Sequence, residues 1–377
     1  MKIVYLVSWL EYSEDGITKK INDQVDLWKS MGHDVDCFMI VSRECDQESG
    51  NWNLVYKKTS RLPWMTYLYT GEAWRTVESG VAKSKPDIIY LRRCKFHPVI
   101  NRIASKWPTV IELNGVRAKE IKLQLKKIVT TTVEWASLCL IQSKFWKVAK
   151  GAVCVANEIA DYQVPDSFLG KVQVIPNGIR TERYRECQKD WPRLGVSGSR
   201  YKLFFLGSPS AGWNHWHGFD KLADYISNHE EELEIDIIGS KAPKGTSFAD
   251  NVRFHGYMSQ NEYIKLAREA DAGISSAALY RRGRSENSSL KVNEYLAMGL
   301  PVIVPYLETA FTERNDWWHL QLPNHGNTLE ENHSKIITFL KSVAERRVIK
   351  DMIYDLIDSS VVEERRIKFL ESVVNTY

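Results

Sequence analysis

The chain has 377 residues, of which 44% are hydrophobic and 26% charged, so it is long enough for two packed domains of a globular protein. A formal net charge of +4 is too small to indicate nucleic-acid binding, and we expect no nucleic acid among the partners. The six cysteines form no CxxC pair and have no histidine at metal-ligand spacing, which excludes a disulfide framework or such a zinc site. The opening apolar run is too short for a signal peptide, and we expect a cytoplasmic protein.

Strands and helices alternate along the first half of the chain. Lys2–Val7 predicts a buried strand, and a helix with apolar residues at helical spacing follows it and stops at Gly32. Further strands are predicted at Val35–Val41, Asp87–Leu91, Thr109–Leu113, Ala152–Ala156 and Val172–Ile175. This order is typical of a doubly wound parallel sheet.

A second alternating series begins after the polar stretch Thr181–Ser199, where we place the domain boundary. Its predicted strands are Tyr201–Leu206, Leu233–Ile238, Val252–His255, Ala272–Ser275 and Pro301–Pro305. Its predicted helices are Phe219–Asn228, Gln260–Glu269 and Ser289–Met298. The sequence therefore predicts an α/β protein with two Rossmann-like domains in series.

A basic loop before the last of these helices is the most informative part of the chain. The helix that follows offers Ser288 and Ser289 as N-caps, and the N–H groups and dipole of its first turn favour an anion. The cations around this turn are Arg281, Arg282, Arg284 and Lys291. The combination predicts a pyrophosphate site.

Two glutamates flank this predicted site. Glu294 lies about five residues down the helix, roughly 7–8 Å along its axis, where the ribose of a bound nucleotide would lie. A carboxylate accepts hydrogen bonds from both hydroxyls of a ribose diol. Glu286 precedes the helix, on the side where a transferred sugar would lie. The alternative interpretation is that Glu286 caps the helix and Glu294 is a solvated acid on its face.

Several segments, in order, resemble glycosyltransferase family 4, a family of retaining enzymes with the GT-B fold. Glu286 and Glu294, followed by Ala-Met-Gly-x-Pro-Val-Ile, resemble its signature. The other matching segments are Val174–Ile179, Phe204–Ser208, Trp216–Asp220 and Val252–Met258. The Trp-His-Gly form within Trp216–Asp220 resembles a branch common in polysaccharide biosynthesis.

The resemblance implies two Rossmann-like domains facing across a cleft. Residues 1–180 would bind the acceptor, residues 181–357 the donor, and a C-terminal helix in 358–377 would pack back on the first domain. The implied activity is that of a retaining, metal-independent hexosyltransferase. It would move a sugar from a nucleotide diphosphate sugar to a glycan or lipid-linked acceptor, in cell-surface polysaccharide synthesis and without a cofactor.

The resemblance also implies roles for single residues. Glu286 would bind hydroxyls of the transferred sugar, and Glu294 would hold the ribose. Ser208 and His217 occupy positions where many family members have an arginine and a lysine. Neutralisation of the diphosphate is therefore expected to shift to Arg282, Arg284 and Lys291, and we place Arg282 and Lys291 with Glu286 in the catalytic group. The other donor-binding candidates are Gly16, Gly207, Ser208, His217, Gly256, Tyr257, Met258, Arg284, Asn287, Ser288, Ser289 and Leu290.

Gly16, in the loop after the first strand, would let the backbone approach the phosphates, because glycine tolerates close contact. An ordinary tight turn before a helix is the alternative. In the first domain, His97 is the candidate base, with Glu112, Asn114 and Glu158 as further candidates at strand ends. For each of these, helix capping or loop hydrogen bonding is the alternative.

A basic, amphipathic stretch runs from Arg117 to Lys150, in which basic residues outnumber acidic ones by eight to two. It suits a peripheral contact with an anionic membrane surface, such as the inner face of the plasma membrane. The alternative is a set of solvated helix faces over a core. The aromatic residues Trp64, Tyr67, Tyr69 and Trp74 would either contact an acceptor or lipid, or form core.

The Asp-x-Asp triplet Asp34-Val35-Asp36 precedes a strand, and we interpret it as two strand-edge acids and predict no metal. Two other functions remain open at this stage. One is a nucleotide-sugar epimerase, and the other is a catalytically silent GT-B-like sugar-binding or scaffold subunit. Because Glu286 and Glu294 are both present, the sequence favours an active transferase.

Overall fold

The computed structural model describes residues 1–8, 16–42, 51–58, 60, 62–92, 97–116, 141–185, 187, 200–207, 216–242, 247–312, 314–344 and 346–376. The chain divides by its contacts into two compact units. The first comprises Met1–Pro176 and Val362–Tyr377, and the second comprises Asn177–Val361. Among the described residues, none of the helices has both the length and the apolar character that a membrane span needs.

The first unit contains a parallel sheet flanked by helices. Its described strands are β1 (Lys2–Ser8), β2 (Asp34–Val41), β3 (Trp52–Tyr56), β4 (Ile88–Arg92), β5 (Thr109–Leu113), β6 (Gly151–Cys154) and β7 (Lys171–Val174). Their order in the sheet is β3-β2-β1-β4-β5-β6-β7, with every neighbouring pair parallel. The helices before the unit boundary are α1 (Gly16–Ser30), α2 (Pro63–Ser84), α3 (Pro98–Lys106), α4 (Ser143–Val148) and α5 (Asn157–Gln163).

The second unit repeats this plan. Its described strands are β8 (Tyr201–Leu206), β9 (Leu233–Ile238), β10 (Val252–Gly256), β11 (Ala272–Ile274), β12 (Glu286–Asn287), β13 (Val302–Val304), β14 (Leu307–Glu308) and β15 (His319–Gln321). The main sheet has the parallel order β10-β9-β8-β11-β13-β15, and β12 pairs with β14 in a separate two-stranded sheet. The helices described within it are α6 (Phe219–Asn228), α7 (Gln260–Glu269), α8 (Leu290–Ala297), α9 (Thr328–Glu331), α10 (His333–Val343) and α11 (Lys350–Ile357). A last helix, α12 (Ser359–Val374), begins in this unit and belongs to the first unit from Val362 onward. Single 3-10 turns lie at Thr181–Tyr184, Leu279–Arg282 and Thr309–Phe311.

The predicted fold class, an α/β protein with two Rossmann-like domains, is confirmed. Both sheets are covered on two faces by apolar clusters, so successive side chains of a central strand are all buried. In β1, Val4 and Leu6 belong to one cluster, while Tyr5 and Val7 belong to the other. This two-sided burial explains why central strands such as β1 are nearly continuous apolar runs in the sequence.

Much of the predicted basic stretch, residues 117–140, lies outside the described residues. In the described part, Lys144 and Lys147 of α4 are exposed, whereas Phe145 and Trp146 are buried in the core. That part therefore has the alternative form, a solvated helix face over a core. Of the aromatic residues of α2, Trp74 is also core, and Tyr67 is exposed.

A buried glutamate anchors α12 to the first unit. Glu363 is 2% exposed, and its Oε2 accepts hydrogen bonds from Gln24 Nε2 and Trp28 Nε1 of α1, each at 2.9 Å. Its Oε1 forms an ion pair with Arg366, which is fully buried one turn later on α12. Removing one partner of such a pair leaves the other charge buried without compensation.

We expect Glu363→Ala to lower the free energy of unfolding by about 3–5 kcal/mol, because Arg366 would remain buried and charged. The measurement is urea unfolding followed by circular dichroism. The neighbouring Glu364, whose ion pair with Lys368 lies at the surface, is the matched control, and Glu364→Ala should leave stability nearly unchanged. Equal losses in the two variants would contradict this role for Glu363.

Candidate functional site

The sequence candidates of the second unit gather at one edge of its sheet. Because the strands of this sheet are parallel, their carboxyl ends all meet there, where ligands bind in open α/β sheets. Gly207 follows β8, Ser276 lies two residues after β11, and α8 begins close to the end of β11 in the fold. The contacts at this edge define the candidate site.

The two-residue strand β12 holds Glu286. Glu286 lies opposite Leu307 of β14, and its Oε1 accepts a hydrogen bond from Thr309 Oγ1 at 2.9 Å. Arg284 Nη2 donates to the backbone oxygen of Glu286 at 2.8 Å. Glu286 is therefore held both at its backbone oxygen and at its carboxylate, in a buried position before α8.

Asn287, the second residue of β12, lies opposite Glu308 of β14. Glu308 is buried, and its carboxylate oxygens accept from the backbone N–H of Ser289, the N-cap of α8, at 3.1 and 3.2 Å. Burial raises the pKa of Glu308 well above its ordinary value, although the N–H groups of Ser289 and Ala310 oppose this. Glu308 thus holds the start of α8 in place.

Ser288 connects this turn to the start of the second unit. Its Oγ accepts from the backbone N–H of Asn177, and its backbone oxygen accepts from Asn177 Nδ2, both at 2.7 Å. Asn293 Nδ2, one turn into α8, donates to the backbone oxygen of Asn177 at 2.8 Å. Ser288 and Asn177 are therefore positioning residues for the turn, and Leu290 is the first helical residue after it.

Lys291 lies in the first turn of α8, next to the predicted anion site. Its Nζ is 3.1 Å from His217 Nδ1 and 3.3 Å from Ser276 Oγ. His217 is itself buried, and its Nδ1 lies 3.1 Å from Ser276 Oγ. When Lys291 is charged, its ammonium donates to Nδ1, and the imidazole then carries its proton on Nε2.

The environment of Lys291 makes its charge sensitive to pH. Burial lowers the pKa of its ammonium to about 7, while the carboxylate of Glu294 opposes this change. Its Nζ also lies 4.1 Å from the centre of the Phe205 ring. Near neutral pH the group therefore changes between its neutral and charged forms, and a bound anion would favour the charged form.

The three arginines of the basic loop have different partners. Arg281 forms a two-bonded ion pair with Asp220 at 2.8 and 2.5 Å. Arg284 is buried against the backbone of Glu286, as described above. Arg282 stacks its guanidinium 4.9 Å from the centre of the Trp216 ring. Arg281 and Arg284 therefore hold the loop through a carboxylate and a backbone oxygen, whereas Arg282 contacts an aromatic ring.

Glu294 lies further along α8 and is half-buried. Its Oε2 accepts a hydrogen bond from Tyr263 OH of α7 at 3.1 Å. The tyrosine fixes the orientation of the carboxylate. A solvated acid on a helix face would have no such partner and would be less ordered. Glu286 and Glu294 therefore flank the first turn of α8 as the sequence predicts.

The glycine after β8 is required by the packing beneath it. A Cβ at Gly207 would lie 2.6 Å from the Phe219 ring, and the Gly207 N–H donates to the backbone oxygen of Ile238 at 2.7 Å. Ser208, the next candidate, lies outside the described residues. His217 returns to the site immediately before Gly218, whose φ of +74° favours glycine at the N-cap of α6.

The donor-binding candidates Gly256, Tyr257 and Met258 lie at the end of β10. Gly256 ends this strand, and its backbone oxygen accepts from the Gly239 N–H at 2.6 Å. Tyr257 is 74% exposed, and Met258 packs partly against the core that contains α8.

Comparison with known proteins bears on the fold. No family model and no curated protein sequence matches the chain. Solved structures do match it: sucrose-phosphate synthase from Thermosynechococcus elongatus has a TM-score of 0.70 at 12% identity, with all of both chains covered. The lipopolysaccharide outer core galactosyltransferase WaaB has a TM-score of 0.62 at 10% identity, covering 99% of each chain. An alpha-glucosyltransferase in complex with UDP-glucose and DNA has a TM-score of 0.60 at 12% identity, covering 98% of this chain and 99% of that one.

The fold is the GT-B fold. At these identities the comparison concerns the fold, and the family 4 placement and the Trp-His-Gly branch stay predictions. In the second unit, His217 and Ser276 contact Lys291, while Glu286, Ser288, Ser289 and Glu294 are held by contacts around the same helix α8. The candidates of the first unit are described separately below.

His97 caps a helix of the first unit. It is the N-cap of α3, and its Nδ1 accepts from the Val99 N–H at 3.3 Å. Its ring packs 4.7 Å from the Tyr67 ring and is close to Gly71. Burial, together with Arg75 and Arg102, lowers the pKa of His97 to about 4. This geometry favours the capping alternative over the role of a base.

Glu112 and Asn114, the other strand-end candidates, belong to a buried network. Glu112 accepts from Lys20 Nζ at 3.1 Å, Arg92 Nη1 at 3.0 Å and Tyr90 OH at 2.9 Å, and Asn114 accepts from Arg92 at 3.3 Å. Although burial raises the pKa of Glu112, Arg92 and Lys20 hold that pKa well below its ordinary value. The ionised carboxylate is a poor proton acceptor at neutral pH.

Three remaining candidates occupy simpler positions. Gly16 is the first residue of α1, at the helix start rather than in a loop, and the residues between it and β1 lie outside the described ones. Glu158 lies in the first turn of α5. Asp34 pairs with Lys2 at 3.0 Å, as expected for a strand-edge acid.

Several contact residues of the site are not among the sequence candidates. Ser276 comes shortly after β11, and Glu308 and Thr309 come shortly after β13, so a place near the carboxyl end of a buried strand is the signal that these three residues share. Tyr263 has no such signal, because it reaches Glu294 from a neighbouring helix.

The His97 cap makes a prediction about acid stability. The unfolded side chain binds a proton near pH 6.5 and the folded one near pH 4, so between these values the unfolded state binds more protons. Stability that is fully present above pH 6.5 is therefore lost as the pH falls to 4, by up to about 1.4 kcal/mol per pH unit.

We expect His97→Asn, which retains a capping acceptor, to reduce the dependence of the unfolding free energy on pH between 6.5 and 4. The reduction corresponds to the loss of about one titrating proton, or about 1.4 kcal/mol per pH unit. Urea unfolding at half-unit steps of pH is the measurement. A variant that keeps the full wild-type slope between pH 6.5 and 4 would show that His97 titrates normally.

Proposed function

We propose that the chain is a glycosyltransferase whose second unit binds a nucleotide diphosphate sugar. The observation that carries the proposal is the arrangement around the first turn of α8. A lysine held by His217 and Ser276 lies at the helix start, with one ordered glutamate before it and another after it. The GT-B fold of the structural neighbours supports the same conclusion.

In this proposal, Lys291 and the N–H groups of the first turn of α8 bind the diphosphate. When the sugar–phosphate bond breaks, the bonding electrons go to the phosphate oxygen, and negative charge develops on the leaving diphosphate. Fixed donors and a cation stabilise that charge most where they need no reorganisation. Lys291 meets this condition, because His217 and Ser276 already hold its ammonium.

The sequence does not rank the cations that would neutralise the diphosphate. For this role we choose Lys291 first and Arg282 second. Arg281 neutralises Asp220, and Arg284 holds the backbone of Glu286. Arg282 stacks on Trp216 and extends from the same loop. We propose that Lys291 meets the diphosphate directly and that Arg284 acts as a positioning residue for Glu286.

Glu286 is proposed to bind hydroxyls of the transferred sugar, and Glu294 to bind the ribose. Thr309 and Arg284 fix Glu286, and Tyr263 fixes Glu294, so neither carboxylate has to be ordered when the donor binds. Pre-ordering of this kind reduces the entropy cost of binding.

The finer features are proposals as well. We propose retention, in which the acceptor oxygen attacks from the face that the diphosphate leaves and its proton passes to the departing phosphate oxygen. The proposed acceptor is a glycan or a lipid-linked glycan of polysaccharide synthesis, with no metal and no cofactor required. The name of WaaB, an outer core galactosyltransferase, fits this acceptor class. Contact of Arg117–Lys150 with an anionic membrane is part of the same proposal.

The DNA in the alpha-glucosyltransferase complex belongs to that protein, and UDP-glucose is the donor in the same complex. For this chain we propose no nucleic-acid acceptor, because its net charge of +4 is small. UDP is nevertheless the first nucleotide to test.

The donor site is tested by isothermal titration calorimetry with UDP, GDP, ADP and dTDP. We expect one of these nucleotides to bind the wild type, and Glu294→Gln to bind it at least tenfold more weakly, because the amide still accepts from Tyr263 but cannot bind the ribose diol as a carboxylate. The control is Glu269→Gln, an exposed glutamate paired with Lys202, which should bind as the wild type does. If none of the four binds at millimolar concentration, the proposed donor site is wrong.

Release of the free nucleotide from its sugar only when an acceptor is present distinguishes a transferase from an epimerase or a silent subunit. The anomeric configuration of the product, measured by nuclear magnetic resonance, then tests retention. Sugar epimerisation without nucleotide release would favour the epimerase, and nucleotide binding without either reaction would favour the silent subunit.

Lys291 gives the site a pH dependence with a defined sign. Its pKa is about 7 in the free protein, and a bound diphosphate would raise it, so binding takes up a proton above pH 7. We therefore expect affinity for the nucleotide to fall as the pH rises from 7 to 9, by up to tenfold per pH unit.

Lys291→Met should bind more weakly at pH 7 and should lose this slope. Comparing both proteins at each pH removes the contribution of the titrating nucleotide. Lys335→Met, at an exposed lysine of the same unit, is the control. Parallel slopes for the wild type and Lys291→Met would refute the role given to Lys291.

A further inference from the structure

A second cluster of polar side chains lies on the second unit, away from the donor site. It joins His229, which follows α6, Glu232, which precedes β9, and His333, the first residue of α10. One ligand atom from each of these residues lies within 4.8 Å of the other two. Because β9 begins at Leu233, the cluster lies at the amino edge of the parallel sheet, whereas Lys291 and its partners lie at the carboxyl edge.

The two imidazoles of the cluster are arranged in parallel. Their rings stack with centres 3.8 Å apart and planes 12° apart. His333 Nε2 lies 3.0 Å from Glu232 Oε2, and His229 Nε2 lies 2.9 Å from Glu330 Oε2. Both Nε2 atoms therefore point towards carboxylates at the half-exposed surface.

The other ring nitrogen of His333 is held from below. Its Nδ1 lies 2.9 Å from the hydroxyl of Tyr225, a residue of α6 that is 1% exposed. When the Nδ1–H donates to this hydroxyl, Nε2 carries a lone pair directed at the cluster. A hydrogen bond to the distal nitrogen is the usual way in which proteins orient a metal-binding histidine.

We propose that His229, Glu232 and His333 form a binding site for a divalent transition-metal ion such as Zn²⁺. Two imidazole nitrogens and one carboxylate are a common set of zinc ligands, with the fourth position left to water. Metal–ligand distances of about 2.0–2.2 Å place ligand atoms about 3.3–3.6 Å apart in a tetrahedral site. Closing the cluster by at most about 1.5 Å requires only rotation of half-exposed or exposed side chains.

The site has a structural consequence that is independent of the proposed transferase activity. A bound ion would connect the turn between α6 and β9 to the start of α10, two segments far apart in the sequence. It would stabilise the second unit and leave the donor edge unchanged. Glu330, which lies 2.9 Å from His229 Nε2 and accepts from Asn228 Nδ2, is a further carboxylate beside the cluster.

The experiment uses the full chain without an affinity tag, treated with a chelator and dialysed. Zn²⁺ is titrated by calorimetry, and Co²⁺ by its visible absorption, whose intensity reports a tetrahedral nitrogen and oxygen site. We expect one ion per chain, with at least tenfold weaker binding in His333→Gln and in Glu232→Gln. Glu232 is exposed, so its variant tests the site without disturbing the core.

The matched control is His325→Gln. His325 is also a surface histidine beside a carboxylate, with its Nε2 3.5 Å from Glu331, but it does not belong to the cluster. Tyr225→Phe retains the packing and removes the hydroxyl, and we expect it to weaken Zn²⁺ binding about tenfold. Melting of each metal-free variant and its nucleotide binding confirm that the fold is intact.

Stoichiometric binding that is lost in His333→Gln and Glu232→Gln but kept in His325→Gln supports the site. The same affinity in all three variants means nonspecific surface binding and overturns it. If Zn²⁺ at about 100-fold molar excess does not bind the wild type, the proposal is wrong. The cluster then consists only of two histidine–carboxylate contacts.

Discussion

The pairing of β12 with β14 is the constraint on which the candidate donor site depends. It is only two residues long, yet it fixes Glu286 opposite Leu307 and Asn287 opposite Glu308. From the same two segments, Thr309 reaches the Glu286 carboxylate and Glu308 reaches the backbone of the α8 N-cap. Glu286 and the start of α8 are thus held by one short parallel pairing, and loss of its register would displace both together.

At the same edge of the sheet, the charge of Lys291 depends on pH and on whether an anion is bound. Lys291 has a histidine and a serine as neighbours, and its ammonium is poorly solvated. A fully solvated cation at this place would be present at every pH but would hold a ligand weakly, since water competes for it. A partly desolvated lysine interacts more strongly with an anion once one arrives.

The fold could be predicted because its strands are buried on both faces. Runs such as Thr109–Leu113 and Tyr201–Leu206 are mainly apolar and end in polar or glycine signals, and the structure places strands at those residues. β3 was missed because it lies at the edge of its sheet and has exposed residues, and β15 because three residues carry too little pattern. α2 was missed because its aromatic residues are divided between core and surface without a clean period.

The candidate site could be predicted only where it is local. Glu286, Ser289, Lys291 and Glu294 follow from spacing along one loop and one helix. Their contacts with Glu308, Ser276 and Tyr263 do not follow from spacing, because these partners come from other elements that tertiary packing brings together. For the same reason the sequence could not rank the arginines, whose availability depends on Asp220 and on the Glu286 backbone.

The position of α12 affects the order in which the chain can fold during synthesis. Val362, Leu370 and Val373 are core residues of the first unit, and Glu363 is the acceptor for two buried donors of α1. These residues leave the ribosome after the whole of the second unit. Domains usually complete folding from the N-terminus as they emerge. Here the first unit lacks part of its core until the second unit has been translated. The first unit is therefore synthesised first but completes its folding last.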